Sequence, residues 1–436
     1  MFGYYFDLAW RSLRRSHILT ALMVLAIGLG IGASMTMITV LHVMSGDPLP
    51  ERSSTIYAPH LNPLPLDFHQ NPYAPDPAVS FTWPDAMAIV GAHRAVHQAV
   101  MAGGRLLVRP ALAGIHPFYA KGRYTTNEFF LMFGVPMLRG SSWSAADDDS
   151  GTHVVVLSET LSQKLFGTAD SVGHSVNFGG TSLRVVGVTH DWRPRPLFYA
   201  DTESKVFSDS DLFFLPLSTA VELKFDTNGN QSSWGGSFNG DMKSPTMSWL
   251  QVWVQIKDAA QAREYRQFLI DYAGEQKRLG RFQRPSDEAT LTPLLPWLTQ
   301  RNLVPSDVRM QLWLALGFLL VCMTNIVALL LAKFLHRSGE VSVRRALGAR
   351  QRDIFLQLGI ESALIGVAGG LLGLLIAQWG LWSVRHRPDD YAKLAQMDTS
   401  MLVATLLLAI VASVIAGLIP AWWACRIAPA LQLKTQ

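Results

Sequence analysis

The densest cluster of chemically capable side chains lies in residues 338–362, SGEVSVRRALGARQRDIFLQLGIES. Arg344, Arg345, Arg350 and Arg352 stand there beside Glu340, in a compact cationic helix. Guanidinium groups bind carboxylates or phosphates through paired charge-assisted hydrogen bonds. Their partner is therefore an acidic protein surface or the phosphates of lipid headgroups. Other candidates are weaker. His93 and His97 stand four apart, a spacing that puts two metal ligands on one helix face, but no third ligand lies near in sequence. Asp147, Asp148 and Asp149 could draw a cation, and a solvated loop of carboxylates is the expectation. Glu361 sits near the start of an apolar run, where a charge is cheap, and both a structural and a functional role are open. The two cysteines, Cys322 and Cys425, lie outside the central segment, so no disulfide framework or cysteine metal site is expected there. There is no G-x-x-x-x-G-K-[ST], G-x-S-x-G, H-E-x-x-H or C-x-x-C. The chain is expected to hold no catalytic residue, cofactor or metal, to bind no nucleic acid and not to hydrolyse ATP.

Hydropathy supplies the frame that positions these residues. Hydrophobic residues make up 49% of the 436 and charged ones 16%, and the apolar ones gather at the N-terminus and in the last third. Four runs reach the roughly 20 apolar residues that cross a bilayer: 18–44, 311–333, 355–384 and 401–422. None has a charge in its middle, which argues against core helices of a soluble protein. Arg14 and Arg15 precede the first run, as in a signal peptide. Its length exceeds a signal h-region and no small-residue cleavage site follows, so a retained anchor is expected. Residues 1–17 read as an amphipathic helix, with Phe2, Tyr5, Phe6, Ala9, Trp10 and Leu13 opposite Asp7, Arg11 and Arg14.

Charge sets the orientation. Residues 1–17, the loop 333–353 and the tail hold eleven basic against three acidic residues. Residues 45–310 hold 23 basic against 26 acidic, and the short loop 385–400 balances three against three. The positive-inside rule places both termini and the 333–353 loop in the cytoplasm. The expected architecture is a multi-pass inner-membrane protein with four transmembrane helices. A large α+β extracytoplasmic domain of two lobes, residues 45–310, lies between helices one and two.

Within that domain, PHLNPLPLDFHQNPYAPDPAVS reads as a long loop. FTWPDAMAIVGAH starts a helix, with Thr82 or Trp83 ahead of Pro84 and with Asp85 at the positive end of the dipole. RLLVRPALAGI reads as strand, and TNEFFLMFGV as a helix stopped by Gly134. THVVVLSETLSQKLFG reads as strand then helix, capped by Ser158 and stopped by Gly167. SVNFGGTSLRVVGVTHD is a hairpin around a Gly-Gly turn, SWLQVWVQIKD a strand, and AAQAREYRQFLIDYAGEQKRL an amphipathic helix. In the third span, Gly366 and Gly370 are four apart, as are Gly369 and Gly373. Such pairs let another helix approach closely, within the chain or across a dimer seam.

These motifs together resemble the FtsX-like permease family, in its MacB-type branch of ABC transporters. GEVSVRRALGARQRDIFLQLGIESALIGVAGGLLG is similar to that family's E-[IV]-x-[VI]-R-R-A-[LI]-G-A core and the span after it. The carrying residues are Glu340, Val341, Val343, Arg344, Arg345, Ala346, Leu347, Gly348 and Ala349, then Asp353, Ile354, Glu361, Ser362, Gly369, Gly370 and Gly373. Ser342 departs from the usual glycine or alanine. The ending resembles P-A-x-x-A-x-x-x-x-P-x-x-x-L at Pro420, Ala421, Ala424 and Pro429, with Leu433 one place late. Residues 126–191 are similar to the family's periplasmic core, through Phe129, Phe130, Gly134, Arg139, Gly140, Val155, Leu157, Ser158, Leu165, Phe166, Gly167, Val172, Gly173, Val186, Gly187 and Val188. The resemblance is weak over 45–80 and 190–245.

The resemblance implies that residues 334–354, centred on 340–349, form a coupling helix. That helix would dock on a separate cytoplasmic ABC ATPase, which would carry the ATP and magnesium. It also implies a second permease copy, in a homo- or heterodimer. ATP-driven closure would pull the coupling helices together, and spans one and two would pass the motion to the outside domain. A periplasmic adaptor and an outer-membrane duct are the further expected partners, with efflux as the activity. Other members release lipoproteins from the membrane or regulate a cell-wall hydrolase.

Overall fold

The computed structural model describes residues 8, 11–14, 16–69, 77–110, 114–199, 206–234, 240–301, 306–336, 350–386, 397 and 399–426. They fall into two units. One comprises Met1–Ser45 with Val304–Gln436, the other Gly46–Leu303. The second is inserted in the chain between the first and second long apolar helices.

Among the described residues, four helices of the first unit are long and apolar enough to cross a membrane. They are α1 (His17–Ser45), α9 (Ser306–His336), α10 (Gln351–Arg385) and α11 (Thr399–Arg426). In the bundle α10 packs on α1 and α11, and α9 packs on the same two helices. Spans two and three, consecutive in sequence, are therefore diagonal. Glycine makes these contacts close. A Cβ on Gly369 would lie 2.5 Å from Ile27 of α1, and one on Gly373 would lie 3.3 Å from Ile31. On the other stripe, Gly366 faces Ser413 and Ala409 of α11, and Gly370 faces Ala409 and Leu406. Both small-residue stripes of α10 thus meet helices of the same chain.

The inserted unit is a mixed α/β structure on one twelve-stranded sheet. Its strands are β1 (Ile56–His60), β2 (Phe81–Thr82), β3 (His97–Arg109), β4 (Phe118–Thr125), β5 (Met137–Gly140), β6 (Val154–Ser158), β7 (Ser175–Phe178), β8 (Thr181–Thr189), β9 (Phe213–Pro216), β10 (Ser232–Ser233), β11 (Met247–Gln255) and β12 (Thr290–Pro293). The main order is β12-β1-β11-β3-β4-β9-β6-β8-β5, antiparallel except for the parallel pairs β4–β9 and β6–β8. Among the described residues seven α-helices accompany the sheet: α2 (Trp83–Gly91), α3 (Glu128–Phe133), α4 (Ala145–Ser150), α5 (Glu159–Phe166), α6 (Leu217–Glu222), α7 (Ala259–Arg278) and α8 (Leu294–Gln300).

Both faces of the sheet are covered. Val155 and Leu157 of β6 enter one core, while Val154 and Val156 enter the other. In β3 and β9 the same alternation divides Val100 from Met101 and Phe213 from Phe214. Burial on both faces is why VVVL reads as a continuous apolar run. The second core is aromatic, with Phe129 packed edge-on against Phe130, Phe133, Trp192 and Tyr199.

Local signals act where the sequence places them. Thr82 caps α2, accepting from the Asp85 backbone N–H at 3.3 Å, and Ser158 caps α5 through Leu161. Gly134 and Gly167 end α3 and α5 at φ 66° and 72°, the left-handed stop that glycine favours. Gly179 and Gly180, at φ 57° and 95°, turn the β7–β8 hairpin. Other expectations change. The strand read over RLLVRPALAGI ends at Arg109 and begins earlier, at His97. The N-terminal part of the expected long loop contributes its first two residues to β1, and residues 77–79 form a short 3₁₀ turn.

Candidate functional site

Three polar residues from separate elements meet inside the spanning unit. Lys333 sits in the last turn of α9, three residues before its end at His336. Glu361 lies ten residues into α10, about 15 Å from its start at a 1.5 Å rise per residue. Ser12 belongs to the segment ahead of α1. Lys333 Nζ is 2.5 Å from Glu361 Oε1, and Ser12 Oγ donates to the same oxygen at 2.7 Å. The side chains of Lys333 and Glu361 are 3% and 0% exposed. Leu330, Phe334, Ile354, Leu358 and Ile365 supply an apolar surround.

Glu361, whose structural or functional role the sequence left open, is buried against Lys333. A single ionised side chain in the middle of a span opposes insertion by about 2.5–3.5 kcal/mol, so such residues turn inward and pair. Lys333, counted by sequence among the basic residues of the loop, instead spends its charge on Glu361. Removing one member of a buried pair leaves the other uncompensated and typically costs about 3–5 kcal/mol. Other polar groups stitch neighbouring helices: Ser34 Oγ donates to the Ala315 carbonyl at 3.1 Å, and Ser413 Oγ to the Ser362 carbonyl.

The pair flanks the arginine-rich stretch on both sides. The expected docking residues Glu340, Val341, Val343, Arg344, Arg345, Ala346, Leu347, Gly348 and Ala349 lie outside the described residues. Also outside them are most of the N-terminal amphipathic helix, most of the 385–400 loop and the tail beyond 426. Arg350 is described as the N-cap of α10, with Asp353 in the first turn where the helix dipole favours an acid. Sequence reasoning had singled out Glu361 without its partner. The apolar run gives Lys333 no visible helical neighbour, since its partner is on the diagonal helix.

The other candidates dissolve. His93 lies beyond the end of α2 at φ 48° and His97 begins β3, so the two share no helix face. Asp147, Asp148 and Asp149 form half of the six-residue α4 rather than a loop. Asp147 closes a capping box with Ser144, and its hydrogen bonds there hold its carboxyl below the usual carboxylate range. Asp148 accepts from the Trp143 indole and the Asn127 backbone N–H, each at 2.6 Å. Burial pushes its carboxyl up to about 6, against those two hydrogen bonds. Among the described residues no group of three or more His, Cys, Asp or Glu could hold a metal ion.

Comparison with known proteins agrees with this layout. Residues 20–270 match the MacB-like periplasmic core domain, and residues 313–429 match the FtsX-like permease C-terminal domain. The pyoverdine export ATP-binding/permease protein PvdT of Pseudomonas aeruginosa is 25% identical over 436 residues, which cover 98% of this chain and 58% of that protein. The macrolide export ATP-binding/permease protein MacB of Bdellovibrio bacteriovorus is 24% identical over 60% of this chain and 35% of that protein. The chain thus spans about half the length of curated relatives that it matches over most of its own length. Among solved structures, the periplasmic region of MacB from Actinobacillus actinomycetemcomitans aligns with 57% of this chain and 93% of that one, at 15% identity and a TM-score of 0.35. With a periplasmic-core domain set between the first two of four membrane helices and an FtsX-like module behind it, the chain belongs to the MacB-like, FtsX-like family of ABC transporter permeases.

Proposed function

We propose that the chain is the permease of an ABC exporter, passing motion from an ATPase on one side of the membrane to the inserted domain on the other. The observation that carries this is the tandem arrangement: a core-domain match over 20–270 followed by a permease match over 313–429. Its named relatives are export proteins that carry an ATP-binding part. In this reading the nucleotide and its magnesium sit on an ABC ATPase held as a separate subunit, which the ATP-binding part in the names of its relatives supports. Residues 340–349 dock that ATPase, with Arg344 and Arg345 on acidic groups of its surface. Spans one and two are the levers, because they alone run directly into the inserted domain. The loop and both termini lie in the cytoplasm and the inserted domain in the periplasm. Two copies work together, and an adaptor and an outer-membrane duct continue the route.

The test is purification of the tagged chain in mild detergent, with mass spectrometry of what co-elutes. An ATPase in stoichiometric amount is expected, with an adaptor alongside it. The double variant Arg344→Glu, Arg345→Glu should insert normally and lose at least about ten-fold of the co-eluting ATPase, the equivalent of about 1.4 kcal/mol. Undiminished ATPase recovery in that variant would sink the docking assignment. A second, different permease in the eluate would favour the lipoprotein-releasing arrangement instead.

A further inference from the structure

Spans two and three are joined by the arginine-rich loop, yet they are not neighbours in the bundle ring. Helix packing alone therefore leaves their loop-side ends to be set through α1 and α11. The Lys333–Glu361 pair bridges that diagonal at 2.5 Å, and Ser12 brings in the segment ahead of α1 through the same oxygen, at 2.7 Å. All three groups are buried, Glu361 at 0% and Ser12 at 5% exposure. Three chain segments thus converge on one carboxylate oxygen, and two of them bound the loop.

We infer that Ser12, Lys333 and Glu361 form a positioning clasp. It makes the two helices that bound the loop, and the N-terminal segment, move as one body. A displacement at the loop is then delivered to the lever spans instead of being absorbed as a change of angle between α9 and α10. This assignment rests on the proposed permease function for its purpose, but the clasp itself is a property of the permease alone. Hydrogen-bond and Coulomb terms strengthen in an apolar surround, so the pair resists separation far more than a surface pair would. Its members are positioning residues that touch neither nucleotide nor cargo.

The experiment is pulsed electron–electron distance measurement on the full chain in nanodiscs. Spin labels go at Ala332 and Leu356, both exposed on the loop-side ends of α9 and α10. The unmodified pair should give one narrow distance distribution. Lys333→Met combined with Glu361→Gln removes both charges, so no buried charge is orphaned and the double variant should still fold. Its distribution should be at least about two-fold broader. Exchange of the charges, Lys333→Glu with Glu361→Lys, should restore the narrow distribution, which a purely space-filling role would not produce. A double variant as narrow as the parent overturns the clasp, as does an exchange variant that folds and stays broad. With the ATPase bound, the parent label distance should stay constant through nucleotide binding, whereas the double variant should keep ATP hydrolysis and gain a nucleotide-dependent shift in label distance. If no ATPase binds even the parent chain, the permease reading fails, while the distribution widths still decide the clasp.

Discussion

Asp85 shows how much one carboxylate can hold. It is 1% exposed. The Thr82 hydroxyl donates to it at 2.5 Å and the Tyr272 hydroxyl at 2.8 Å, and both Arg281 terminal nitrogens donate to its two oxygens. The Tyr272 hydroxyl is held well above its usual pKa, by burial first and by the Asp85 charge second. Replacing Asp85 with alanine leaves the Arg281 guanidinium, 23% exposed, without its counter-ion. We expect a loss of about 3–5 kcal/mol and a fall in the domain's melting transition of about 10 °C, read by calorimetry of the full chain. Asp148 gives a pH dependence of definite sign. Below its unfolded value of 3.8 the carboxyl is protonated in both states and imposes no penalty. Its folded value is raised to about 6, so stability falls as pH rises from one to the other and stays lower above that range. That displacement corresponds to roughly 3 kcal/mol. Thermal unfolding at pH 4.5 and 7.5 should show Asp148→Asn gaining stability relative to the parent as the pH rises.

At the scale of elements, the glycines of α10 make the sharpest prediction. Gly369→Val would place its side chain on Ile27, where even a Cβ comes within 2.5 Å. Gly359 on the same helix has nothing within 4 Å of such an atom. The first substitution should reduce the monodisperse fraction on fluorescence size-exclusion chromatography several-fold. Gly359→Ala should leave it unchanged or raise it, since alanine favours helix by about 1 kcal/mol. Equal behaviour of the two variants would count against the packing described here. Elements were largely legible in the sequence because their signals are local. Thr82, Ser158, Gly134 and Gly167 act on backbone within one turn, and the Gly-Gly turn fixes its own hairpin. What could not be read were partners chosen by tertiary structure. Asp85 looked like a dipole residue until Arg281, 196 positions away, folded onto it. Lys333 looked like a loop charge until the diagonal helix brought Glu361 beside it. The three aspartates looked like a solvated loop because a run of carboxylates is poor helix material away from an N-terminus, and two of them, Asp147 and Asp148, occupy a first turn.

At the scale of the molecule, family and architecture were carried by motifs, but the mechanical arrangement was not. The sequence orders the spans one to four and says nothing of which are adjacent. The ring in which α9 and α10 are diagonal comes from which faces carry glycine and small residues. That ring also decides what the lipid meets. Span one has 44% of its apolar window buried and span three the same, whereas span two has 17%. The outer face of α9 shows Trp313, Leu314, Phe318, Leu320 and Val321, and α10 turns Leu371, Leu375 and Trp379 outward. With the glycine stripes of α10 already filled from within, another chain arriving through the bilayer beside Leu371, Leu375 and Trp379 would find bulky, greasy flanks. A seam made there would hold its helices wider apart and trade places readily with acyl chains, a greased joint instead of a rivet.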